Sequence, residues 1–401
     1  MKRIILHVDC NNAFLSWSAV HMLKSGYKYD IRKRYAVIGG KESLRKGIVL
    51  AKSMLCKKAG VVTGEPLYFA RKKCPYLEVY SPEFDIYREY SNKMYKYLCR
   101  YSDKIERYSI DECFIDYTDS LSLFGDPIKI AYKIKEDIKK YFGFTVNVGV
   151  GDNKLLAKMA SDFSKPDKVH TLFSHEVKDK MWPLDVSELF MIGKASYKKL
   201  SNLGIRTIGD LANKDLNYLV SNFKSMGKMM WEYANGIDES LVESDYGNPK
   251  SISNSVVLPY NYTNLDDIYK IIKELSFSVG KRLREKNLYS SNVSIWVKFH
   301  DFTSISKQNT LDNVINRDDD IYNNAISLFN KVWNPESDKK IRSLGVGVNN
   351  LTDVYKVQLS IFNMENNKKI HDDNLQSAID SIKNKFGNDS ITYASKKKEN
   401  N

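Results

Sequence analysis

The first half of the chain alternates short apolar runs with longer segments of helical periodicity. Residues 3–9 (RIILHVD) form an apolar run that ends in a carboxylate, which predicts a buried strand, and residues 12–23 predict the start of a helix. Helical spacing recurs at residues 84–103 and 126–142, and residues 145–151 predict a further buried strand.

A hairpin is predicted between the last two of these helices. Residues 104–118 (KIERYSIDECFIDYT) alternate like a strand, break at 109–112 and alternate again, which places Asp111 and Glu112 at a turn. The order strand, helix, strand, strand, helix, strand predicts an α+β fold. We expect an antiparallel sheet with its helices on one face.

The second half predicts a helical region and then another mixed module. Residues 173–238 look wholly helical, and the polar segment 239–252 is typical of a linker. Residues 253–352 return to an α/β pattern, and a tail with one apolar helical face follows. The predicted strands of the module span 253–258, 290–299 and 341–349, and its predicted helices lie near 264–285 and 318–333.

The composition is that of a folded protein with a basic surface. The chain has 401 residues, which suits about two to four domains, and 42% of them are hydrophobic, which is enough for packed cores. The formal net charge of +13 favours a polyanionic partner, of which nucleic acid is the commonest. A soluble protein that is simply basic fits the same charge, so charge alone leaves both interpretations open.

The cysteines and the N-terminal sequence indicate the cellular compartment of the protein. The five cysteines are an odd number without a CxxC pair, which argues against a disulfide framework or a zinc ribbon and favours a reducing cytoplasm. The apolar stretch near the N-terminus is too short for a signal peptide and is interrupted by Asp9. Since no window approaches the length of a transmembrane helix, we expect no membrane association.

Positive charge is concentrated in residues 31–75. This segment holds twelve lysines and arginines against Glu42 and Glu65. A solvated surface carries such a run in many proteins, but the density here suggests contact with phosphate.

Three acids, Asp9, Asp111 and Glu112, stand within apolar runs where predicted strands end or turn. Nucleotidyl transfer needs such a cluster, because two Mg²⁺ ions about 3.5–4 Å apart must be held by hard oxygen ligands. Acidic residues at turns more often only cap the backbone and contact solvent. That alternative weakens when the acids lie among apolar residues, since a lone buried carboxylate is costly.

HVDCNNAF (7–14), followed by YSIDECFIDYT (108–118), resembles the two metal motifs of the Y-family translesion DNA polymerases. The resemblance continues through KLLAKMASDFSKPDKVH (154–170) and over nearly the whole chain. It implies a right-hand polymerase with a ferredoxin-like antiparallel palm, small fingers, a helical thumb and a separate α/β little finger. The implied domains are a palm at 1–30 and 76–172, fingers at 31–75, a thumb at 173–238, a linker at 239–252, a little finger at 253–352 and a tail at 353–401.

The resemblance also implies template-directed, low-fidelity DNA synthesis from dNTPs on a primer–template, by a monomer in the cytoplasm. It assigns two Mg²⁺ ions, with Mn²⁺ as a substitute, to Asp9, Asp111, Glu112 and the backbone carbonyl of Cys10. Phe14 matches the aromatic gate that excludes a ribonucleotide 2′-hydroxyl. A catalytically impaired DNA-binding accessory protein of the same fold is the alternative, and a nucleotidyl cyclase would explain the acids alone.

The triphosphate contacts implied by the family are partly replaced here. Where the family has Tyr-x-x-Arg before Gly-Val, this chain has Met54 and Lys57, so the arginine fork becomes a point charge and the tyrosine hydroxyl is lost. Ser53 is a possible substitute donor. Lys165 matches the family lysine that reaches the β- and γ-phosphates.

DNA contacts are predicted in three places. Ser109 precedes the acid pair and is expected to touch the primer or a metal-bound water. Residues 191–212 resemble a helix-hairpin-helix, a motif that binds DNA phosphates through backbone N–H groups. Its predicted contacts are Gly193, Lys194, Lys198 and Lys199, and those of the little finger are Lys298, Lys307 and Arg342.

A short motif in the tail predicts a protein partner. QLSIF (358–362) resembles the peptide by which bacterial polymerases bind the sliding clamp. Gln358 would bond at the rim of the clamp's pocket, while Leu359, Ile361 and Phe362 would fill it. The alternative is an ordinary strand.

Overall fold

The computed structural model describes residues 3–45, 47–244 and 247–355, with a few residues between 378 and 391. The chain divides into two compact units whose boundary lies between residues 246 and 247, inside the predicted linker. The clamp-like residues 358–362, and most of the predicted apolar face of the tail, lie outside the described residues. None of the helices in the described ranges is long and apolar enough to cross a membrane.

The first unit mixes eight strands with eleven helices in its described part. The strands are β1 (Ile5–Cys10), β2 (Ala36–Gly39), β3 (Val49–Lys52), β4 (Glu78–Tyr80), β5 (Ile105–Arg107), β6 (Glu112–Asp116), β7 (Val146–Gly151) and β8 (Val169–Leu172). The helices are α1 (Ala13–Lys24), α2 (Met54–Lys58), α3 (Leu67–Lys73), α4 (Phe84–Leu98), α5 (Leu121–Phe124), α6 (Pro127–Phe142), α7 (Lys154–Asp162), α8 (Lys194–Asn202), α9 (Ile208–Ala212), α10 (Leu216–Phe223) and α11 (Ser225–Ala234).

A five-stranded sheet in the order β5-β6-β1-β7-β8 forms the centre of this unit. The predicted strand at the N-terminus and the predicted hairpin are confirmed, and β1 pairs antiparallel with both β6 and β7. The expectation of a purely antiparallel sheet is wrong at one edge, because β8 runs parallel to β7. This edge strand has four residues, most of them half-buried, so it has no continuous apolar run to reveal it.

Helices cover both faces of the central sheet, which corrects the prediction that they share one face. On one face, Leu6 and Val8 pack with α1, α4 and α6. On the other, Ile5 packs with Ala157 of α7. A Cβ at Gly149 would stand 1.9 Å from the Ala157 carbonyl oxygen, so α7 lies directly on β7 because that position carries no side chain.

The segment between α1 and α4 forms a small three-stranded sheet in the order β3-β2-β4. Val37, Val49, Cys56 and Leu67 build its core together with α2 and α3. The last strand, β4, lies beyond residue 75, where the sequence placed the end of this region.

The region 173–238 is helical for most of its length, as predicted, but in short pieces. Residues 174–188 form brief 3₁₀ and π turns, and α8 to α11 follow. Thr207 begins α9 with a capping box, accepting a hydrogen bond from the Asp210 amide at 3.0 Å.

The second unit is a four-stranded antiparallel sheet with helices on one face. It contains β9 (Ser251–Tyr262), α12 (Leu265–Glu285), β10 (Tyr289–Phe299), β11 (Ser304–Ile315), α13 (Asp318–Asn330) and β12 (Ile341–Thr352), with the strand order β11-β10-β12-β9. Every predicted strand and helix of this module is present. The sequence missed β11, because this edge strand is almost entirely polar and exposed.

Candidate active site

The three acids predicted to act together converge where β1 ends and β6 begins. Asp9 pairs directly with Glu112 across the two strands. The backbone amide of Cys10 donates to the Asp111 carbonyl oxygen at 3.0 Å, which fixes the residue beside Glu112 against the end of β1. The strand register thus brings together the chain segments that carry the three acids, as the sequence interpretation requires.

The turn of the β5–β6 hairpin is held by its own polar groups. The amides of Tyr108 and Ser109 both donate to the Glu112 carbonyl oxygen, at 3.1 and 3.3 Å. The Ser109 hydroxyl donates to Asp111 Oδ1 at 2.6 Å. Ser109, predicted to touch the primer, thus also orients one of the acids.

Asp9 is a buried carboxylate that is 5% exposed and ion-paired with Lys165. Burial raises the pKa of Asp9 to about 6; Lys165 acts against this shift, while Glu112 and Asp111 add to it. Burial lowers the pKa of Lys165, but its pairing with Asp9 and Asp162 more than offsets this and raises that pKa overall.

Glu112 has a lysine of its own. Lys158 on α7 donates to Glu112 Oε1 at 2.9 Å, and the imidazole of His7 lies 4.0 Å from Glu112 Oε2. The sequence did not single out Lys158 or His7. Lys158 reaches Glu112 only when α7 packs on the sheet, and His7 approaches it through the pairing of β1 with β6. Asp9 and Glu112 are therefore each paired with one lysine.

The acids fit a divalent cation by charge. In the described part of the chain, no three side chains of His, Cys, Asp or Glu form a ready-made metal cluster. Lysine ammonium groups instead lie on Asp9 and Glu112. Asp111 and Glu112 both raise the pKa of Asp9, so the three carboxylates repel one another, and a bound cation would relieve this repulsion.

An open cleft of about 430 Å³ lies over these acids. Its other walls come from the start of α1, from the small sheet with α2, and from the loop after α7. The lining residues are Asp9, Cys10, Asn11, Asn12, Lys52, Met54, Lys57, Thr63, Asp111, Glu112, Lys165 and Pro166. An acidic floor thus faces a basic wall, which suits a triphosphate held near metal ligands.

Two lysines of the basic segment reach this cleft. Lys57 was predicted there, whereas Lys52 was counted in the basic run but not singled out. Burial and the neighbouring Lys57 lower the pKa of Lys52, and its ammonium donates to Thr63 at 3.2 Å. Asn12, in the left-handed conformation at φ 52°, donates to the Lys52 carbonyl oxygen at 2.7 Å and ties the start of α1 to β3.

Ser53, predicted as a substitute triphosphate donor, is not among the residues that line the cleft. It is buried, and its hydroxyl caps α2 by accepting a hydrogen bond from the Cys56 amide at 3.2 Å. Met54 follows it on the cleft wall with half of its surface exposed. The side chain that replaces the family tyrosine is therefore available to a ligand, but it is apolar.

Phe14 follows Asp9 by five residues in the sequence and lies in the first turn of α1. Its half-buried ring stacks on Tyr87, with centroids 4.6 Å apart and planes at 12°, and meets the edge of Phe84 at 6.0 Å. It lies outside the set of side chains that line the cleft. The ring is firmly held, as both a core aromatic and a gate require.

The predicted helix-hairpin-helix places its glycine at a helix start. Gly193 is the N-cap of α8, with open space where a Cβ would lie, and Lys194 and Lys198 are exposed on that helix. Lys199 instead turns back to the Asn222 carbonyl oxygen and the Phe223 ring. The first two lysines remain directed at solvent, and Lys199 is partly used within the fold.

In the second unit, Lys298 and Arg342 share an aromatic neighbour. Their cationic groups lie 5.5 and 4.8 Å from the ring centroid of Phe302, which is exposed in the turn between β10 and β11. Lys307 is exposed on the polar edge strand β11. The three predicted DNA contacts of this unit are therefore all at least partly exposed.

Comparison with known proteins gives one consistent result. A family model described as impB/mucB/samB matches residues 8–162, and a model of that family's C-terminal domain matches residues 249–361. DNA polymerase IV of Clostridium acetobutylicum is 51% identical over 79% of this chain and 80% of its own length. That of Acetivibrio thermocellus is 40% identical over 78% and 77%.

Solved structures agree with these relatives. A Y-family DNA polymerase chimera of Dbh and Dpo4 superposes with a TM-score of 0.76 at 26% identity, covering 86% of this chain and 98% of that one. An insertion ternary complex of Dbh DNA polymerase superposes with a TM-score of 0.60 at 25% identity, with the same coverage. The α+β architecture is shared throughout.

Proposed function

The chain belongs to the Y-family of translesion DNA polymerases, of the DNA polymerase IV type, and we propose that its catalytic centre is the cleft over Asp9, Asp111 and Glu112. It is a DNA-directed DNA polymerase that performs low-fidelity translesion synthesis. The observation that carries the proposed site is the direct pairing of Asp9 with Glu112, beside Asp111, on the floor of a basic cleft. The accessory-protein alternative predicts a missing acid, and all three are in place.

The family's synthesis depends on a divalent metal, and we assign that metal to these acids. Asp9, Asp111, Glu112 and the carbonyl of Cys10 would hold two Mg²⁺ ions, with Mn²⁺ as a substitute. Bound there, the ions would activate the primer 3′-hydroxyl and neutralise the triphosphate. The chain's own part is to fix the carboxylates: Ser109 orients Asp111, and the strand register orients Asp9 and Glu112.

The basic wall of the cleft supports nucleotide binding. Lys57, Lys52 and Lys165 present ammonium groups to the same cleft as the acids, and Thr63 adds a hydroxyl. We assign the triphosphate to this wall, where these donors stabilise negative charge on the phosphates. Phe14 is assigned as the sugar gate.

Duplex contacts are assigned to both units by charge and by backbone geometry. Ser109 lies beside the acids, and the start of α8 at Gly193, with Lys194 and Lys198, suits a DNA phosphate. Lys298 and Arg342 are assigned to the DNA backbone in the second unit. We expect the enzyme to act as a monomer in the cytoplasm.

The domain assignment follows the family. Residues 1–30 and 76–172 form the palm, 31–75 the fingers, 173–238 the thumb with its helix-hairpin-helix, and 253–352 the little finger, joined by the linker 239–252. The small sheet, the helical region and the second unit support this division. The position of β4, which ends at Tyr80, favours an end of the fingers a few residues later than residue 75.

Binding of Mn²⁺ to the full chain tests the metal assignment directly. Because the pKa of Asp9 is raised to about 6, a proton competes with the cation below that pH. We expect the affinity to fall about tenfold from pH 7 to pH 5, as the carboxylate goes from mostly ionised to mostly protonated. Electron paramagnetic resonance of free Mn²⁺, without DNA or nucleotide, measures this.

The matched control is Asp9→Asn, which keeps the shape of the side chain and removes its charge. It is expected to bind Mn²⁺ weakly at both pH values. An affinity that does not change between pH 5 and pH 7, or an Asp9→Asn variant that binds like the wild type, would contradict the assignment.

The tail motif is proposed to bind a sliding clamp. Replacing Leu359, Ile361 and Phe362 by Ala removes the apolar anchors, and we expect clamp affinity to fall at least about tenfold. Surface plasmon resonance against the clamp measures the loss, and primer extension without clamp, expected to be unchanged, is the control. Equal affinity of the variant would contradict the assignment of the motif to clamp binding.

A further inference from the structure

His7 is a buried imidazole that the proposed chemistry leaves without a role. It lies on β1 two residues before Asp9, has no exposed surface, and packs against Phe114 with ring centroids 4.5 Å apart. Its Nε2 has no hydrogen-bond partner, although the side chain of Glu112 lies 4.0 Å away. Leaving a buried polar atom without a partner destabilises the fold, so it calls for an explanation.

The hydrogen bonds around the ring define which nitrogen carries the proton. Nδ1 lies 2.8 Å from the Ser161 hydroxyl, and that hydroxyl donates its one proton to the Lys158 carbonyl oxygen at 2.7 Å. Ser161 must then accept from Nδ1–H, which leaves Nε2 as a bare acceptor. Two acceptors, Nε2 and a Glu112 oxygen, face each other across the gap.

A second arrangement of the same groups satisfies every atom. If the Ser161 hydroxyl turns towards Nδ1, the ring carries its proton on Nε2 and becomes a donor directed at Glu112. The Lys158 carbonyl lies within α7, where it also has a helical amide as a donor. A shift of about 1 Å by the carboxylate then brings the pair to hydrogen-bond length.

We propose that His7 is a positioning residue for Glu112, holding this carboxylate through Nε2–H in the orientation in which it ligates metal. The geometry supports this in two ways. Lys158 holds the other oxygen, Oε1, at 2.9 Å, so Lys158 bonds one oxygen of the carboxylate and His7 faces the opposite one. A neutral donor such as Nε2–H orients Glu112 without adding charge to the site.

The inference rests on the proposed metal site, and matched substitutions separate the two. His7→Asn places an amide near Nδ1, keeps a donor for Ser161 and lacks any atom at Nε2. His7→Gln extends an amide to the Nε2 position. We expect His7→Asn to weaken Mn²⁺ binding by the full chain about tenfold, and His7→Gln to recover most of that loss. Thermal unfolding in EDTA compares the stability of the two variants. A lowered unfolding temperature in both variants would identify a general loss of folding.

A spectroscopic measurement tests the proton position itself. The NMR signals of His7 in the full chain, labelled with ¹⁵N-histidine, are assigned by their absence in His7→Phe. We expect the proton to be on Nδ1 without metal and on Nε2 with saturating Mg²⁺. A His7→Asn variant that binds Mn²⁺ like the wild type, or a proton that stays on Nδ1 with Mg²⁺, would overturn the role of His7. If Asp9→Asn also binds Mn²⁺ normally, the metal site itself is wrong, which is a different outcome.

Discussion

Replacing Asp111 by Ala is expected to lower single-turnover primer extension by roughly a thousandfold, because it removes a group that stabilises charge in the transition state. Among the three acids, Asp111 gives the cleanest test. Truncating Asp9 leaves Lys165 with Asp162 as its remaining acidic partner, and truncating Glu112 leaves the ammonium of Lys158 without its carboxylate. Asp111 is only half-buried, and its side chain bonds only to Ser109 in the described contacts.

The fold of the Asp111→Ala variant is expected to survive. The contact that joins the hairpin to β1 uses the backbone carbonyl of Asp111, which the substitution keeps. The loss of one exposed hydrogen bond costs about 1 kcal/mol or less. Primer–template affinity, measured by fluorescence anisotropy, should therefore stay near the wild-type value while extension is lost.

The control for Asp111→Ala is Asp119→Ala, which removes an exposed carboxylate that pairs with Lys104 away from the cleft. Asp111→Asn tests whether charge rather than shape is needed, and we expect it to behave like the alanine variant. Extension by Asp111→Ala within about tenfold of the wild type would contradict the assignment, since general loss of a surface acid has effects of that order or less.

The convergence of the acids was predictable because it depends on local patterns. Residues 3–9 and the alternation around residues 109–112 identify strands whose ends carry carboxylates, and antiparallel pairing brings those ends together. The α+β class and the second module follow from the same periodicities. These features depend on the spacing of apolar residues within short segments of the sequence, which is sufficient to predict them.

The parts that were missed depend on contacts between distant residues. Gly149 was predicted only as part of a buried strand; in the fold it also lets α7 approach the sheet, which brings Lys158 to Glu112. Ser53 has the chemistry of a phosphate donor, yet its position before α2 turns the hydroxyl inward as a cap. Strand β11 is polar because both of its faces are exposed, so no apolar alternation marks it.

Replacing Phe14 by Ala is expected to lower the preference for dNTP over rNTP by about a hundredfold, measured as the ratio of kcat/KM values for one templated addition. A ring that excludes a hydroxyl must be held in place, because a mobile one would move aside. Phe14 is held by the stack on Tyr87 and by the edge of Phe84. Most of the change should come from faster use of the ribonucleotide, since the space left by the ring admits the 2′-hydroxyl.

The control for the gate is Phe84→Ala, which removes one neighbour of the ring and leaves the ring itself. Phe84 is half-exposed, so its loss should cost little stability and change sugar selection by only a few-fold. Phe14→Leu, which keeps part of the bulk, should fall between wild type and alanine. If Phe84→Ala relaxed selection as much as Phe14→Ala did, the aromatic cluster as a whole would set the sugar preference. If Phe14→Ala left selection unchanged, Phe14 would be a core aromatic at the start of α1, and the gate would have to be sought among the residues that line the cleft.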